Sequence, residues 1–437
     1  MNVVLLSGGS GKRLWPLSNE IRSKQFIRLF NNGNGEQESM LMRVHRQLVT
    51  ALPQPRIVVA TGRSQVSAIR NQLGDSVSIC VEPCRRDTFP AIALAAAYLK
   101  SELHAQDDEC VVVCPVDPYV DDSYVQAFHA LEKLVQEGDA NLTLMGVEPT
   151  GPSEKYGYII PAAAQKVSRV VAFKEKPDRE TALQFLQQGA LWNAGVFAFK
   201  LGYLLKIAHE LIAFSDYQEL YDRYEQLEKI SFDYAVVEKE ENTQVLRYAG
   251  EWRDVGTWRM LTEVMEEPVM GKAVLDSACT SVHVVNELGI PILAMGCHDM
   301  IIAASGDGIL IADKEQSGAM KPYVEKIEND VRFAEKSWGT YTVLDAQPGS
   351  MTVQLAMQAG QHMSYHSHEL RSEVWTITSG EGTVTLDGVE QQVTTGSCVQ
   401  IPAGVRHTVY ARSPMTIVEI QMGSELSVQD KKKHQLP

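Results

Sequence analysis

Asn2 to Phe26, NVVLLSGGSGKRLWPLSNEIRSKQF, is the stretch that decides how the first half of the chain is read. Val3 to Leu6 is a β-branched and apolar run of strand type, and it leads directly into Gly8, Gly9 and Gly11. Glycines at that point let the backbone turn tightly and offer several N–H groups to an anion, while Lys12 and Arg13 add positive charge. Two better-known phosphate loops do not fit. A Walker A loop needs Gly where Leu6 stands and Ser or Thr where Arg13 stands, and the GxGxxG dinucleotide spacing is absent.

The same strand type recurs beyond this loop. Arg56–Thr61, Ser76–Glu82, Cys110–Asp117 and Leu142–Pro149 read as strands, separated by amphipathic stretches such as Thr88–His104 and Ser123–Glu137. The alternation predicts an α/β fold, a Rossmann-like, doubly wound and mostly parallel sheet over residues 1–267, with ligands at the carboxyl ends of the strands. From Val269 to about Asp313 short β-like segments are broken by Gly, Asp and Pro, and a charged stretch from Lys314 to Lys336 reads as helix or linker. Residues 268–332 are therefore expected to form a small β connector. Residues 333–437 read as a compact all-β barrel, with turn residues at Asp387-Gly388 and Pro402-Ala403-Gly404. Lys431 to Lys433 reads as a solvated polar tail.

Bulk composition narrows the partners. The 437 residues hold 40 basic and 55 acidic side chains, a net charge of −15, which disfavours nucleic acid and anionic membrane as partners. A small phosphorylated ligand needs only a few cations in one cleft. The first residues predict neither a secretory signal nor a membrane span, and seven scattered cysteines without a CxxC pair read as mostly buried free thiols in a reducing, cytoplasmic setting.

SGGSGKRLWPLS followed by KQF resembles the signature of sugar-phosphate nucleotidyltransferases of the mannose-1-phosphate guanylyltransferase family. Its companions follow in the family's order: EPCRRDTFPAIALAA (Glu82–Ala96), PVDPYV (Pro115–Val120), YGYI (Tyr156–Ile159), FKEKPD (Phe173–Asp178), WNAGVF (Trp192–Phe197), FDYAVVEK (Phe232–Lys239) and WRDVGTW (Trp252–Trp258). Asp87 stands where many members carry Asn. The resemblance implies GTP and mannose 1-phosphate as substrates, with Leu6, Gly8, Gly9, Gly11, Glu82, Arg86, Asp87 and Thr88 at the nucleotide. It implies Gly157, Glu175, Lys176 and Asn193 at the sugar and its phosphate. Asp117 and Asp254 are then the carboxylates for Mg2+, and Arg13 and Lys24 the cations that balance phosphate charge. Joining two anions needs little covalent help from the protein, so positioning and charge neutralisation must carry the catalysis.

In the last hundred residues, Gly360–Gly380 fits G-x5-H-x-H-x4-E-x6-G and Gly396–His407 fits G-x5-P-x-G-x2-H. These resemble the two cupin motifs. Residues two apart in a strand share a face, so His366 and His368 point the same way, and Glu373 and His407 would complete a ligand set for Zn, Co, Mn or Fe. A nucleotidyltransferase followed by a cupin resembles bifunctional enzymes that pair the guanylyltransferase with a type II mannose-6-phosphate isomerase, with mannose 6-phosphate and fructose 6-phosphate as added substrates. Here HSHELRSEVW, His366–Trp375, replaces that family's tight His-rich cluster. Three readings stay open: the bifunctional enzyme, a guanylyltransferase or other sugar-1-phosphate nucleotidyltransferase with a structural or regulatory cupin, and a non-catalytic sugar-nucleotide sensor. Retention of Arg13, Lys24, Asp117 and Asp254 counts against the sensor, and assembly as a homo-oligomer is left open.

Overall fold

The computed structural model describes residues 1–9, 12–19, 21–327, 331–426 and 430–435, without the side chain of Lys12. The main sheet has nine strands, labelled in chain order β1 (Asn2–Ser7), β2 (Arg56–Gly62), β3 (Ser78–Glu82), β4 (Cys110–Pro115), β5 (Leu142–Val147), β6 (Tyr158–Pro161), β7 (Val167–Lys174), β8 (Leu191–Lys200) and β9 (Thr243–Tyr248). They lie in the order β3-β2-β1-β4-β8-β5-β9-β7-β6. Seven of the nine point the same way, and β7 and β8 are reversed.

The apolar runs of β1 and β4 follow from burial on both faces, as in other parallel sheets. Val3, Leu5, Val112 and Cys114 meet Tyr124, Phe128 and Leu131 of the helix Asp122–Glu137. Val4, Val58 and Val113 face the opposite side, against Phe89, Ile92, Ala93 and Ala96 of the helix Thr88–Ser101. The Asp87 carboxylate caps that second helix by accepting from Thr88 N at 2.8 Å. Of the cysteines, Cys80, Cys110 and Cys114 are buried, while Cys84, Cys279 and Cys297 are half-buried and Cys398 is exposed, so burial holds for three of seven.

Beyond the sheet the chain coils. Val269–Met270, His283–Asn286 and Met300–Ser305 stack in parallel register, and Ala273–Leu275 pairs in parallel with Ile292–Ala294. This coil shares a core with the signature segment: Leu14, Leu17, Val255 and Trp258 pack with Val285, Ile301 and Ala303. Backbone contacts reinforce the grip, since Ser305 Oγ donates to Pro16 O at 2.6 Å and Trp258 Nε1 to Trp15 O at 3.0 Å. The charged stretch gives a short helix Lys321–Val324, but its end, Phe333–Lys336, is a strand of the next unit.

That unit is two sheets around an apolar core of Val353, Leu355, Trp375, Ile377, Val384, Val409 and Ile417. One sheet runs Val389–Thr394, Glu381–Leu386, His407–Ala411, His366–His368, Lys431–Lys433. The lysine run is thus the edge strand of this sheet and not a solvated tail. Three consecutive lysines carry no alternation, so nothing local marks them as a strand; pairing with the distant His366–His368 makes them one. Among the described residues no helix is long and apolar enough to cross a membrane.

Candidate functional site

The phosphate-loop candidate emerges from the carboxyl end of β1, in the middle of the parallel strands. Gly9 has φ 118°, a left-handed conformation that glycine tolerates, and a Cβ added there would meet nothing within 4 Å. Gly11 lies outside the described residues. Beneath the loop is a buried polar network absent from the sequence reading. Gln65 Nε2 donates to Ser23 Oγ at 2.8 Å and to Gly9 O at 3.3 Å, Ser23 Oγ donates to Gly9 O at 3.1 Å, and Gln25 Nε2 donates to Ser7 Oγ at 3.3 Å. The Gly9 carbonyl is thereby held down, which fixes the turn.

Lys24, Asp117 and Asp254 come together. Asp117 leaves the end of β4, and the short strand that follows it, Pro118–Val120, pairs antiparallel with Trp252–Asp254, so that Asp254 sits opposite Pro118. Lys24 Nζ lies 2.8 Å from Asp117 Oδ2 and 3.8 Å from Asp254 Oδ1, and donates to Val255 O at 3.1 Å. Both carboxylates are partly exposed, 39% and 32%, which leaves coordination positions for phosphate oxygen and water. Two hard, adjacent anions with an open side fit Mg2+. Arg13 is exposed on the three-residue turn Lys12–Leu14 and makes no described contact with this trio.

A second cluster forms around β8. Glu175 is buried and paired with Lys176 Nζ at 2.7 Å. Gly157 is where the chain passes so close that an added Cβ would stand 2.6 Å from Glu175 Oε2, and Gly157 O accepts from Asn193 N at 2.8 Å. Asn193 Nδ2 donates to Asp233 Oδ1 at 2.7 Å, while its own Oδ1 accepts from Gly195 N at 3.1 Å. Asp233, to which the FDYAVVEK motif by itself gives no role, has its carboxyl pushed up to about 7, by burial first and then by the Glu175 charge. Tyr156 links the two clusters. Its ring lies 4.6 Å from Trp192 and 5.7 Å from Trp252, and burial followed by the Asp254 charge pushes its phenol up to about 12.

The residues expected beside the nucleotide base are committed to the protein. Leu6 is half-buried on β1 and its carbonyl accepts from Val116 N at 3.4 Å, while Gly8 opens onto empty space. Tyr224 OH donates to Glu82 Oε2 at 2.7 Å, Arg86 Nη1 to Leu227 O at 3.0 Å, and Phe232 N to Thr88 Oγ1 at 2.8 Å. Asp87 sits at φ 70° and ψ −174°, outside the left-handed helical region and in one that residues with a Cβ rarely adopt.

In the carboxy-terminal unit the ligand atoms of His366, His368 and His407 lie within 4.8 Å of one another, and all three residues are buried. Each ring's Nδ1 faces a backbone carbonyl: Ser364 O at 2.6 Å, Asp430 O at 3.2 Å and Val405 O at 3.0 Å. This arrangement leaves the Nε2 atoms to face inward. Glu373 bridges two of them, with Oε1 3.3 Å from His368 Nε2 and Oε2 3.3 Å from His407 Nε2. It also accepts from Arg371 Nε and Trp375 Nε1, each at 3.1 Å. Burial would raise Glu373, but the approach of His407, with the charges of His368 and Arg371, holds it below the ordinary carboxylate range. Burial draws His368 down to about 4. Although it lies 3.3 Å from Glu373, the buried His407 Nε2 makes no hydrogen bond, and it is the atom a transition metal would satisfy. Arg371 Nη2 stands 3.0 Å from His368 Nε2, so a cation would share that nitrogen's surroundings with a guanidinium. Glu419, also buried, is pushed up to about 8 by burial and then by the Glu373 charge.

Residues 2–269 match the nucleotidyl transferase family and residues 353–421 the cupin domain, so the chain belongs to the nucleotidyl transferase family and carries an appended cupin. It is 30% identical to the mannose-1-phosphate guanylyltransferase of Klebsiella pneumoniae, across 98% of this chain and 97% of that one. It is 29% identical to the alginate biosynthesis protein AlgA of Pseudomonas putida, across 98% and 94%. Among solved structures, that of a protein described as mannose-1-phosphate geranyltransferase from Thermus thermophilus is similar at TM-score 0.63 and 29% identity, covering 75% of this chain and 99% of that one.

Proposed function

We propose that the protein is a cytoplasmic mannose-1-phosphate guanylyltransferase, which transfers GMP from GTP to mannose 1-phosphate and releases pyrophosphate. The observation that carries this reading is the convergence of Lys24, Asp117 and Asp254 beside the glycine loop, joined through Tyr156 to the Gly157, Glu175, Lys176 and Asn193 cluster. Full-length similarity to guanylyltransferases supports it.

In this reading the backbone at Gly8 and Gly9 cradles the triphosphate, and Gln65 and Ser23 keep that backbone from relaxing. Mg2+ held by Asp117 and Asp254 would supply charge neutralisation at the reacting phosphates. Lys24, tethered to both carboxylates, stands where it balances the phosphate charge, and Arg13, exposed on the turn that follows the loop, would meet the leaving pyrophosphate. Glu175 accepts from sugar hydroxyls, and Lys176 pairs with the sugar phosphate. Asp233 orients the Asn193 amide. The phosphate oxygen of mannose 1-phosphate then attacks the α-phosphorus in line with the departing pyrophosphate, with the protein acting through position and charge.

For the cupin we propose a divalent transition metal on His366, His368, His407 and Glu373, and interconversion of mannose 6-phosphate with fructose 6-phosphate. The orphaned His407 Nε2 and the carbonyl-anchored Nδ1 atoms favour a metal site over a purely structural barrel. A panel of the four NTPs against several sugar 1-phosphates, read by pyrophosphate release, tests the first activity. GTP with mannose 1-phosphate should give the highest kcat/KM, and a clear preference for another pair would overturn the assignment. Fructose 6-phosphate formation from mannose 6-phosphate, lost in His368→Ala, tests the second; metal-loaded protein without interconversion would reduce the cupin to a structural or regulatory role.

A further inference from the structure

The barrel interior changes character along its length. On Met415–Gly423 the inward residues run Met415, Ile417, Glu419, Gln421, and on Arg371–Ser379 they run Arg371, Glu373, Trp375, Ile377. One end is therefore apolar core, and the other is a polar interior holding the three histidines and two carboxylates. The strand Lys431–Lys433 borders that polar end.

Its register is defined. Lys431 lies opposite His368, Lys432 opposite Ser367, and Lys433 opposite His366. Residues directly opposite in an antiparallel pair project from the same face. Lys431 and Lys433 thus share the face of the two histidines, and Lys432 shares the outer face, where its Nζ pairs with Glu369. Lys431 is half-buried, whereas Lys432 and Lys433 are exposed. Burial acts on the Lys431 ammonium first, then the Glu419 and Glu373 carboxyls, which favour its charge, and Lys336 and Lys433, which oppose it. Yet among the described residues that ammonium makes no hydrogen bond and no ion pair within 4 Å.

The strand is also fastened. The Asp430 carboxylate accepts from Glu369 N at 3.0 Å and Leu370 N at 3.1 Å, and its carbonyl faces His368 Nδ1. His434 N donates to Tyr365 O at 2.9 Å, and its ring meets Ser367 Oγ at 2.9 Å. So the lysine is carried by a built element, next to the metal ligands, with its charge uncommitted. Turning a lysine inward costs the charge part of its hydration, a cost that a bound anion would offset.

We infer that the carboxy-terminal strand completes the cupin's ligand site, and that Lys431 is the cation that receives the phosphate of a phosphorylated sugar bound at the histidine cluster. This rests on the phosphosugar reading of the cupin given above. In it the metal end of the site holds the sugar's carbonyl and hydroxyl oxygens, and the lysine fixes the far end of the ligand, so that a neutral sugar of the same shape lacks that anchor.

The test uses the full-length, metal-loaded protein with Lys176→Ala as background, which weakens phosphosugar binding in the first unit. Binding of mannose 6-phosphate and of mannose is measured by calorimetry, and metal content by elemental analysis, for the background protein and for added Lys431→Met, Lys431→Arg and Lys432→Met. Lys431→Met should weaken mannose 6-phosphate at least tenfold, leave mannose and metal content unchanged, and be partly rescued in Lys431→Arg. Lys432→Met, on the outer face, should change affinity less than twofold. Equal affinity in Lys431→Met, equal losses in Lys431→Met and Lys432→Met, or loss of metal from Lys431→Met would each overturn the role of Lys431 while leaving the phosphosugar reading standing. Failure of the background protein to bind mannose 6-phosphate at all would overturn both.

Discussion

Gly157→Ala isolates the sugar-phosphate cluster by a single methyl group. The position shows no left-handed backbone, so alanine meets no conformational penalty there; the effect comes from contact alone. The new Cβ would stand 2.6 Å from Glu175 Oε2 and 2.8 Å from Phe173 Cζ, against an ordinary contact beginning at 3.4 Å. The carboxylate must retreat by about 0.8 Å, yet it is buried and tied to Lys176 at 2.7 Å, while Phe173 lies on β7 and cannot swing away freely. Overpacking of this kind costs roughly 1–3 kcal/mol. If that strain is relieved by moving Glu175 off the sugar, the lost binding is of the same order, about 5- to 150-fold in affinity at 1.4 kcal/mol per decade. Steady-state kinetics should show the KM for mannose 1-phosphate rising by about tenfold or more. The Kd for GTP, measured separately by equilibrium binding, should stay within twofold, because the loop on β1 is untouched. An unchanged mannose 1-phosphate KM in a folded Gly157→Ala protein, or a GTP Kd that rises in step with it, would refute the placement of Glu175 at the sugar.

Gln65→Leu removes one of the two donors to Gly9 O and the donor to the buried Ser23 Oγ, and leaving that hydroxyl without its donor costs roughly 1–3 kcal/mol; GTP affinity should fall by about tenfold with little change in mannose 1-phosphate binding, as read by calorimetry. Asp233 has its carboxyl raised from 3.8 to about 7, so between those values the unfolded chain releases its proton first and stability falls as pH rises. Asp233→Asn removes that slope while keeping an acceptor for Asn193 Nδ2. Its melting temperature should therefore gain on the unsubstituted protein between pH 4 and pH 7, and an equal difference at both ends of that range would contradict the proton-holding carboxyl.

How much can be read from the sequence follows from how each feature is encoded. Strands β1, β2, β4 and β5 are buried on both faces or nearly so, which writes them as short β-branched runs that stand out at once, and β3 at the sheet edge is half-buried yet carries a similar run. β7, VSRVVAFK, does hold a β-branched run, but its half-exposed pattern and irregular register against β6 give no regular alternation, and the sequence does not set it apart as a strand. Asp117 and Asp254 can be named because their motifs are specific. Their meeting depends on a three-residue antiparallel pairing between segments about 130 residues apart, which no local pattern announces. Gln65 escapes a sequence reading for a related reason: a polar residue in an unremarkable turn becomes functional only when the fold lays it under Gly9. The inward lysine at 431 is the extreme case, since a run of three lysines reads as solvent-facing until its partner strand is known.

The most direct measurement follows the products. Purified protein given GTP, mannose 1-phosphate and Mg2+ should form GDP-mannose and pyrophosphate in equal amounts, identified by mass and by 31P resonance. Asp117→Asn and Asp254→Asn should each abolish formation while melting within a few degrees of the unsubstituted protein, because each removes a hard anionic ligand and the clamp on Lys24. GDP-mannose formed at undiminished rates by both substituted proteins, or no GDP-mannose from the unsubstituted one, would contradict the proposed transfer at this site.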